Sequence, residues 1–177
     1  MKREETAMNV QAALKGQYHA ALAMLKQAIE QCPNDLWDGG GYPVPFWRVV
    51  YHTLYATHLY LQQNEQAFHP WEHHREGHQD LPWPPDSGTK IDDPYTKAQM
   101  LDYWRLCDAM IHTDVDRLDL DAEESGFSWH KTMPKLEHQI HNIRHIQHHA
   151  ALLAGRLRLA NGTDTRWVRT DGEIYRP

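Results

Sequence analysis

The sequence predicts an all-α protein, a four-helix bundle with a long crossover connection between its second and third helices. Three observations predict it. Four segments repeat apolar residues at three- and four-residue steps, the spacing of one helical face. Almost nothing alternates as a half-buried strand does. Between the second and third segments lies a long stretch carrying Pro70, Pro82, Pro84, Pro85 and Pro94, too long for a plain turn.

The first helix is expected over residues 5–31, where Val10, Ala13, Leu14, Ala20, Ala21, Met24, Leu25 and Ala28 recur before Cys32-Pro33-Asn34-Asp35 breaks the pattern. Residues 39–45, Gly39-Gly40-Gly41-Tyr42-Pro43-Val44-Pro45, read as a loop. The second helix follows over residues 46–63, on Phe46, Val49, Val50, Leu54, Leu59 and Leu61. Residues 64–94 form the crossover. The third helix covers residues 96–118 and buries Met100, Leu101, Trp104, Cys107, Ile111 and Val115. The fourth runs over residues 132–160, with Pro134 in its first turn and Asn161-Gly162 as its stop. Residues 1–162 thus make the bundle. The tail, residues 163–177, is polar apart from Trp167, Val168, Ile174 and Tyr175; it packs on the bundle or turns back as a short hairpin around Asp171-Gly172.

Composition narrows the function. A chain of 177 residues can bury a core without a metal or disulfide to hold it, so a metal, if bound, serves function. The net charge of -6, with Lys and Arg dispersed, leaves no basic stripe for phosphates and argues against nucleic acid. Two cysteines suggest a reducing compartment. No leader-like apolar segment and no run near ~18 apolar residues appears, so a cytoplasmic protein without a membrane span is expected. Asn161-Gly162-Thr163 matches a glycosylation sequon by chance on this reading.

Residues 137–150 hold five of the 14 histidines. His145 and His149 stand four apart, so on a helix their imidazoles stack one turn above the other and can face one ion. They flank an apolar stripe of Leu136, Ile140, Ile143, Ile146, Ala150, Leu153, Ala154 and Leu157, whereas His141 and His148 rotate away from it. A third ligand must come from another helix. His52 and His58 both sit among apolar neighbours on the second helix, and spacing does not choose between them.

Phe46-Trp47-Arg48-Val49-Val50-Tyr51-His52-Thr53-Leu54, combined with Arg144-His145-Ile146-Gln147-His148-His149-Ala150-Ala151-Leu152-Leu153, resembles the DinB-like superfamily of metal-binding four-helix bundles. The likeness spans about residues 8–160. It implies a divalent ion, zinc or nickel, held by His52, His145 and His149. The glutamine-type residues usual after the last ligand are replaced here by Ala150-Ala151-Leu152. The resemblance also implies a homodimer, and relatives that are either thiol-dependent transferases using low-molecular-weight thiols or metal-dependent hydrolases. Neutral imidazoles leave such an ion positively charged, so a bound water or thiol would lose its proton near neutral pH.

Three readings of function follow. The first is an enzyme that activates water or a thiol cofactor against a small organic substrate, in a pocket shaped by the crossover around Trp83. The second is a non-catalytic metal-binding or stress-associated bundle, and the third a pH-responsive histidine surface without metal. Asp102, Asp108 and Glu137 are candidates to orient a ligand imidazole, though each reads more simply as a surface charge. Trp71-Glu72-His73-His74-Arg75-Glu76-Gly77-His78 could form a second cluster but reads as solvated loop, and Cys107 as an inert buried thiol. Of Trp37, Tyr42, Phe46, Trp47, Tyr51, Tyr55, Trp83, Tyr95, Trp104 and Trp129, most are expected in the core.

Overall fold

The computed structural model describes residues 9–82, 84–85, 87, 91–170 and 172–174. They form five α-helices: α1 (Val10–Gln31), α2 (Asn34–Trp37), α3 (Phe46–Tyr60), α4 (Lys97–Arg117) and α5 (Lys135–Asn161). The fold is all-α. The only β pairing among the described residues is an isolated antiparallel bridge between Val168 and Ile174.

Local chemistry sets the helix ends. Asn9 accepts the Ala12 amide at 2.9 Å and opens α1; residues 5–8 of the expected first helix lie outside the described residues. Pro33 closes α1 by forcing Cys32 out of helical geometry to ψ 123°. The chain then makes the short α2, which the Pro-Asn-Asp signal had suggested was only a break. Thr96 and Gln99 form a reciprocal capping box at the start of α4. Gly162, at φ 73°, ends α5 in the left-handed conformation that glycine adopts at least cost.

Two boundaries differ from expectation. The second expected helix stops at Tyr60 rather than at residue 63. There Lys135 Nζ donates to the carbonyls of Gln62 and Gln63, at 3.3 and 2.7 Å, and a close approach of Gly126 leaves no room for a Cβ against Gln63 O. The last helix starts at Lys135, not residue 132, because Pro134 is extended at ψ 150° and disfavours helical geometry at the residue before it.

α1 packs against α4 and α5, and α3 packs against the same two helices. At one end Tyr18 of α1 reaches Gln139 of α5, which in turn reaches the carbonyl of Tyr60 at the end of α3. Lys15 near the start of α1 pairs there with Asp116 near the end of α4. At the other end Lys97, at the start of α4, donates to the carbonyl of Cys32, and Arg156 of α5 donates to the carbonyl of Val44 just before α3.

The core is rich in large rings, with Tyr18, Phe46, Trp47, Tyr51, Tyr95 and Tyr103 fully buried. Several of them fasten the segment between α3 and α4. Trp71 stacks on Tyr103 with centroids 4.5 Å apart, Tyr95 packs on Tyr51 at 4.5 Å, and Trp37 Nε1 donates to Tyr95 O at 2.7 Å. Trp104 is only half-buried and Trp129 is exposed, while Trp83 lies outside the described residues.

The apolar stripe expected on α5 holds only in its second half. Ile146, Ala150, Leu153, Ala154 and Leu157 are buried, but Ile140 is 48% exposed. In the first half the inward face belongs to His138, Gln139 and Asn142, all fully buried. Tyr18 Oη donates to Gln139 Oε1 at 2.7 Å, Asn142 Nδ2 donates to Tyr18 Oη at 3.0 Å, and Gln139 Nε2 donates to Tyr60 O at 2.9 Å. Hydrogen bonding thus brings Gln139 and Asn142 into the core and rotates the helix away from its hydrophobic pattern.

The tail returns to α1. Gln27 makes a pair of hydrogen bonds with the Arg166 backbone at 2.8 and 3.1 Å, and Val168 is buried in the core. Arg169 N donates to Glu173 O at 2.8 Å around a tight turn; Asp171 and Tyr175 lie outside the described residues. Among the described residues, no helix is long and apolar enough to cross a membrane.

Candidate metal centre

His145 and His149 lie on α5 one turn apart, and their rings approach to a centroid distance of 4.5 Å. His52 projects from α3 toward the same point. Its Nε2 is 3.0 Å from His145 Nε2, and His149 Nε2 is 3.1 Å from His145 Nε2. The ligand atoms of the three residues all fall within 4.8 Å of one another, close enough to hold a single ion. Tetrahedral zinc with Zn–N near 2.0–2.1 Å sets its ligand nitrogens about 3.3 Å apart. The two separations to His145, 3.0 and 3.1 Å, need only a small expansion to reach that spacing.

The protonation pattern fits a cation. His52 Nδ1 lies 2.7 Å from the backbone carbonyl of Gln79, which can only accept, so the proton sits on Nδ1 and Nε2 keeps its lone pair. Burial pushes the His145 imidazole down to about 2, helped by charge on His52 and His149, and burial with His52 holds His149 at about 3. Burial also lowers His52, against the opposing effect of the Gln79 carbonyl. All three rings are therefore neutral at pH 7, the form that ligates metal. The Nδ1 atoms of His145 and His149 are buried without a hydrogen-bond partner.

His58, the alternative on the same helix, faces the other way. Its Nδ1 lies 3.2 Å from Tyr103 Oη on α4 and its ring packs on Phe68. His148 is exposed, with its ring beside that of His149. Asp108 binds His19 at 2.7 Å, Asp102 pairs with Arg105, and Glu137 is exposed, so none of the three orients a ligand of the triad. That role falls to the Gln79 carbonyl, which sequence reasoning missed; a backbone oxygen carries no residue-type signal.

Residues 71–78 do not gather into a second centre. Trp71 is core, His74 Nδ1 meets Tyr51 Oη at 2.7 Å, and His78 packs against Trp47 and Tyr95. Cys107 is fully buried with its Sγ toward Leu54 O, and burial pushes the thiol well above its usual range. On the outer side of α5, His145 also lines an open groove of about 530 Å³ with His141, Arg144, Gln147, His148 and Ala151. No family model, curated protein or solved structure matches the chain.

Proposed function

We propose that the protein binds one divalent transition-metal ion, zinc or nickel, through His52, His145 and His149, and uses it as an enzyme acting on a small organic substrate. The carrying observation is the convergence of three neutral Nε2 atoms, with neighbouring pairs 3.0 and 3.1 Å apart. Three protein nitrogens leave a fourth position for an exogenous ligand in the usual catalytic layout. When bound, the ion would make water or a low-molecular-weight thiol acidic enough to act as a nucleophile near neutral pH.

The chain's own residues prepare that site. The hydrogen bond to Gln79 O fixes the His52 ring, and the one-turn spacing of α5 fixes the other two. The groove beside His145 offers a route from solvent. We also read the fold as a DinB-like four-helix bundle in which residues 61–96 cross over. Two observations support this reading: α1 and α3 share α4 and α5 as neighbours, and both α3 and α4 begin at the end where α1 finishes. A chain that must start two helices at the same end needs a long return between them.

The test is metal content of tag-free protein, followed by turnover. Loss of metal in His145→Ala with retention in His148→Ala supports the triad; the reverse result overturns it. The metal-loaded protein is then screened with thiols plus electrophiles and with ester and amide panels. Binding without turnover in either screen would favour a non-catalytic metal-binding bundle.

A further inference from the structure

A second histidine group lies at the other end of α5. His130 comes from the turn Ser128–His130, and His138 and His141 from the first turns of α5. Ring centroids are 4.9 Å apart for His130 and His141, 5.3 Å for His130 and His138, and 6.2 Å for His138 and His141. His138 is fully buried between Tyr60, at 4.6 Å, and Phe127, at 5.0 Å.

Its surroundings give His138 nothing to bond. Both its ring nitrogens are buried without a partner, as is Nδ1 of His130. A buried imidazole with two unpaired nitrogens costs free energy that an apolar ring of similar shape would not. Two half-buried imidazoles beside it, those of His130 and His141, supply the donor type that soft and borderline divalent ions select. We propose that His130, His138 and His141 form a second site for a divalent transition-metal ion, distinct from and weaker than the triad on α3 and α5.

Two features make it weaker. The nitrogens do not converge as those of the triad do, so the rings of His130 and His141 must rotate to close on an ion. The Lys135 ammonium is also near enough to oppose positive charge on His138, although its hydrogens are directed at Gln62 O and Gln63 O.

Equilibrium dialysis of the tag-free full chain against Zn2+ tests the proposal, with circular dichroism checking that each variant stays helical. Wild type should bind two equivalents, the second at least about tenfold more weakly, consistent with imperfect geometry. The double variant His130→Gln/His141→Gln should bind one equivalent. His138→Phe, which refills the space between Tyr60 and Phe127 with another ring, should likewise bind one. The variant His52→Gln/His145→Gln should keep the weaker equivalent and lose the tighter. If instead wild type saturates at one equivalent that only the His130/His141 variant loses, the second site stands and the triad fails. If the His130/His141 variant binds as much zinc as wild type, whatever that amount, the proposal is overturned.

Discussion

His52 Nδ1 donates to the backbone carbonyl of Gln79 at 2.7 Å, joining a ligand candidate on α3 to the segment that leads to α4. Because the acceptor is a main-chain atom, Gln79→Ala should leave metal retention nearly unchanged. Gln79→Pro, which restricts the backbone around that carbonyl, should weaken it by about 10–100-fold, the usual cost of losing a partner that orients a ligand. Competition with a chromophoric chelator measures both; equal retention in the two variants would deny the carbonyl any role.

Three buried histidines, His58, His138 and His149, and the half-buried His145 make the metal-free protein acid-labile. Burial first lowers each from 6.5: His58 to about 4, His138 and His149 to about 3, and His145 to about 2. Their folded values lie below the unfolded one, so as pH falls through 6.5 the unfolded chain takes up protons that the folded chain refuses. Stability is full above 6.5 and is lost progressively below it, with a limiting slope of about 1.4 kcal/mol per pH unit for each group. Urea unfolding between pH 7 and 4.5 measures the slope. His138→Phe should reduce it, and an unchanged slope would count against burial of a neutral ring there.

Much of the helical fold was legible in the sequence, since Leu14 to Ala28, Val49 to Leu54 and Ile146 to Leu157 declare their faces by spacing. What failed was the first half of α5, where Gln139 and Asn142 enter the core because Tyr18, Thr57 and Tyr60 on other helices meet them. Such complementarity is invisible along one chain segment. The candidate site shows the same divide. The pairing of His145 with His149 is local and readable, whereas the choice between His52 and His58 depends on which faces α5 and which faces Tyr103 on α4.

Tyr18 tests how much that polar core contributes. Its hydroxyl donates to Gln139 Oε1 and accepts from Asn142 Nδ2. Tyr18→Phe keeps the ring, strands Gln139 Oε1 and leaves Asn142 Nδ2 only its bond to Thr57 O at 3.4 Å, which should cost about 1–3 kcal/mol in urea unfolding. Metal affinity should not change, because none of these atoms touches the triad; a parallel fall in affinity would show the network to be coupled to it.

Thiol labelling gives a readout that joins fold and metal. Cys107 is fully buried under Leu54 O between α3 and α4, and burial pushes Cys32 up to about 12. At pH 8 both should react with an alkylating agent only when the chain opens, orders of magnitude more slowly than in denaturant, because the thiolate is both hidden and scarce. A ligand that binds only the folded form slows opening-dependent labelling in proportion to its saturation, so zinc at 100 times its dissociation constant should slow Cys107 by about 100-fold. His145→Ala should abolish most of that protection while labelling still occurs, which separates stabilisation through the triad from direct capping of the thiol by zinc. Protection of equal size in His145→Ala would place the stabilising ion elsewhere in the molecule.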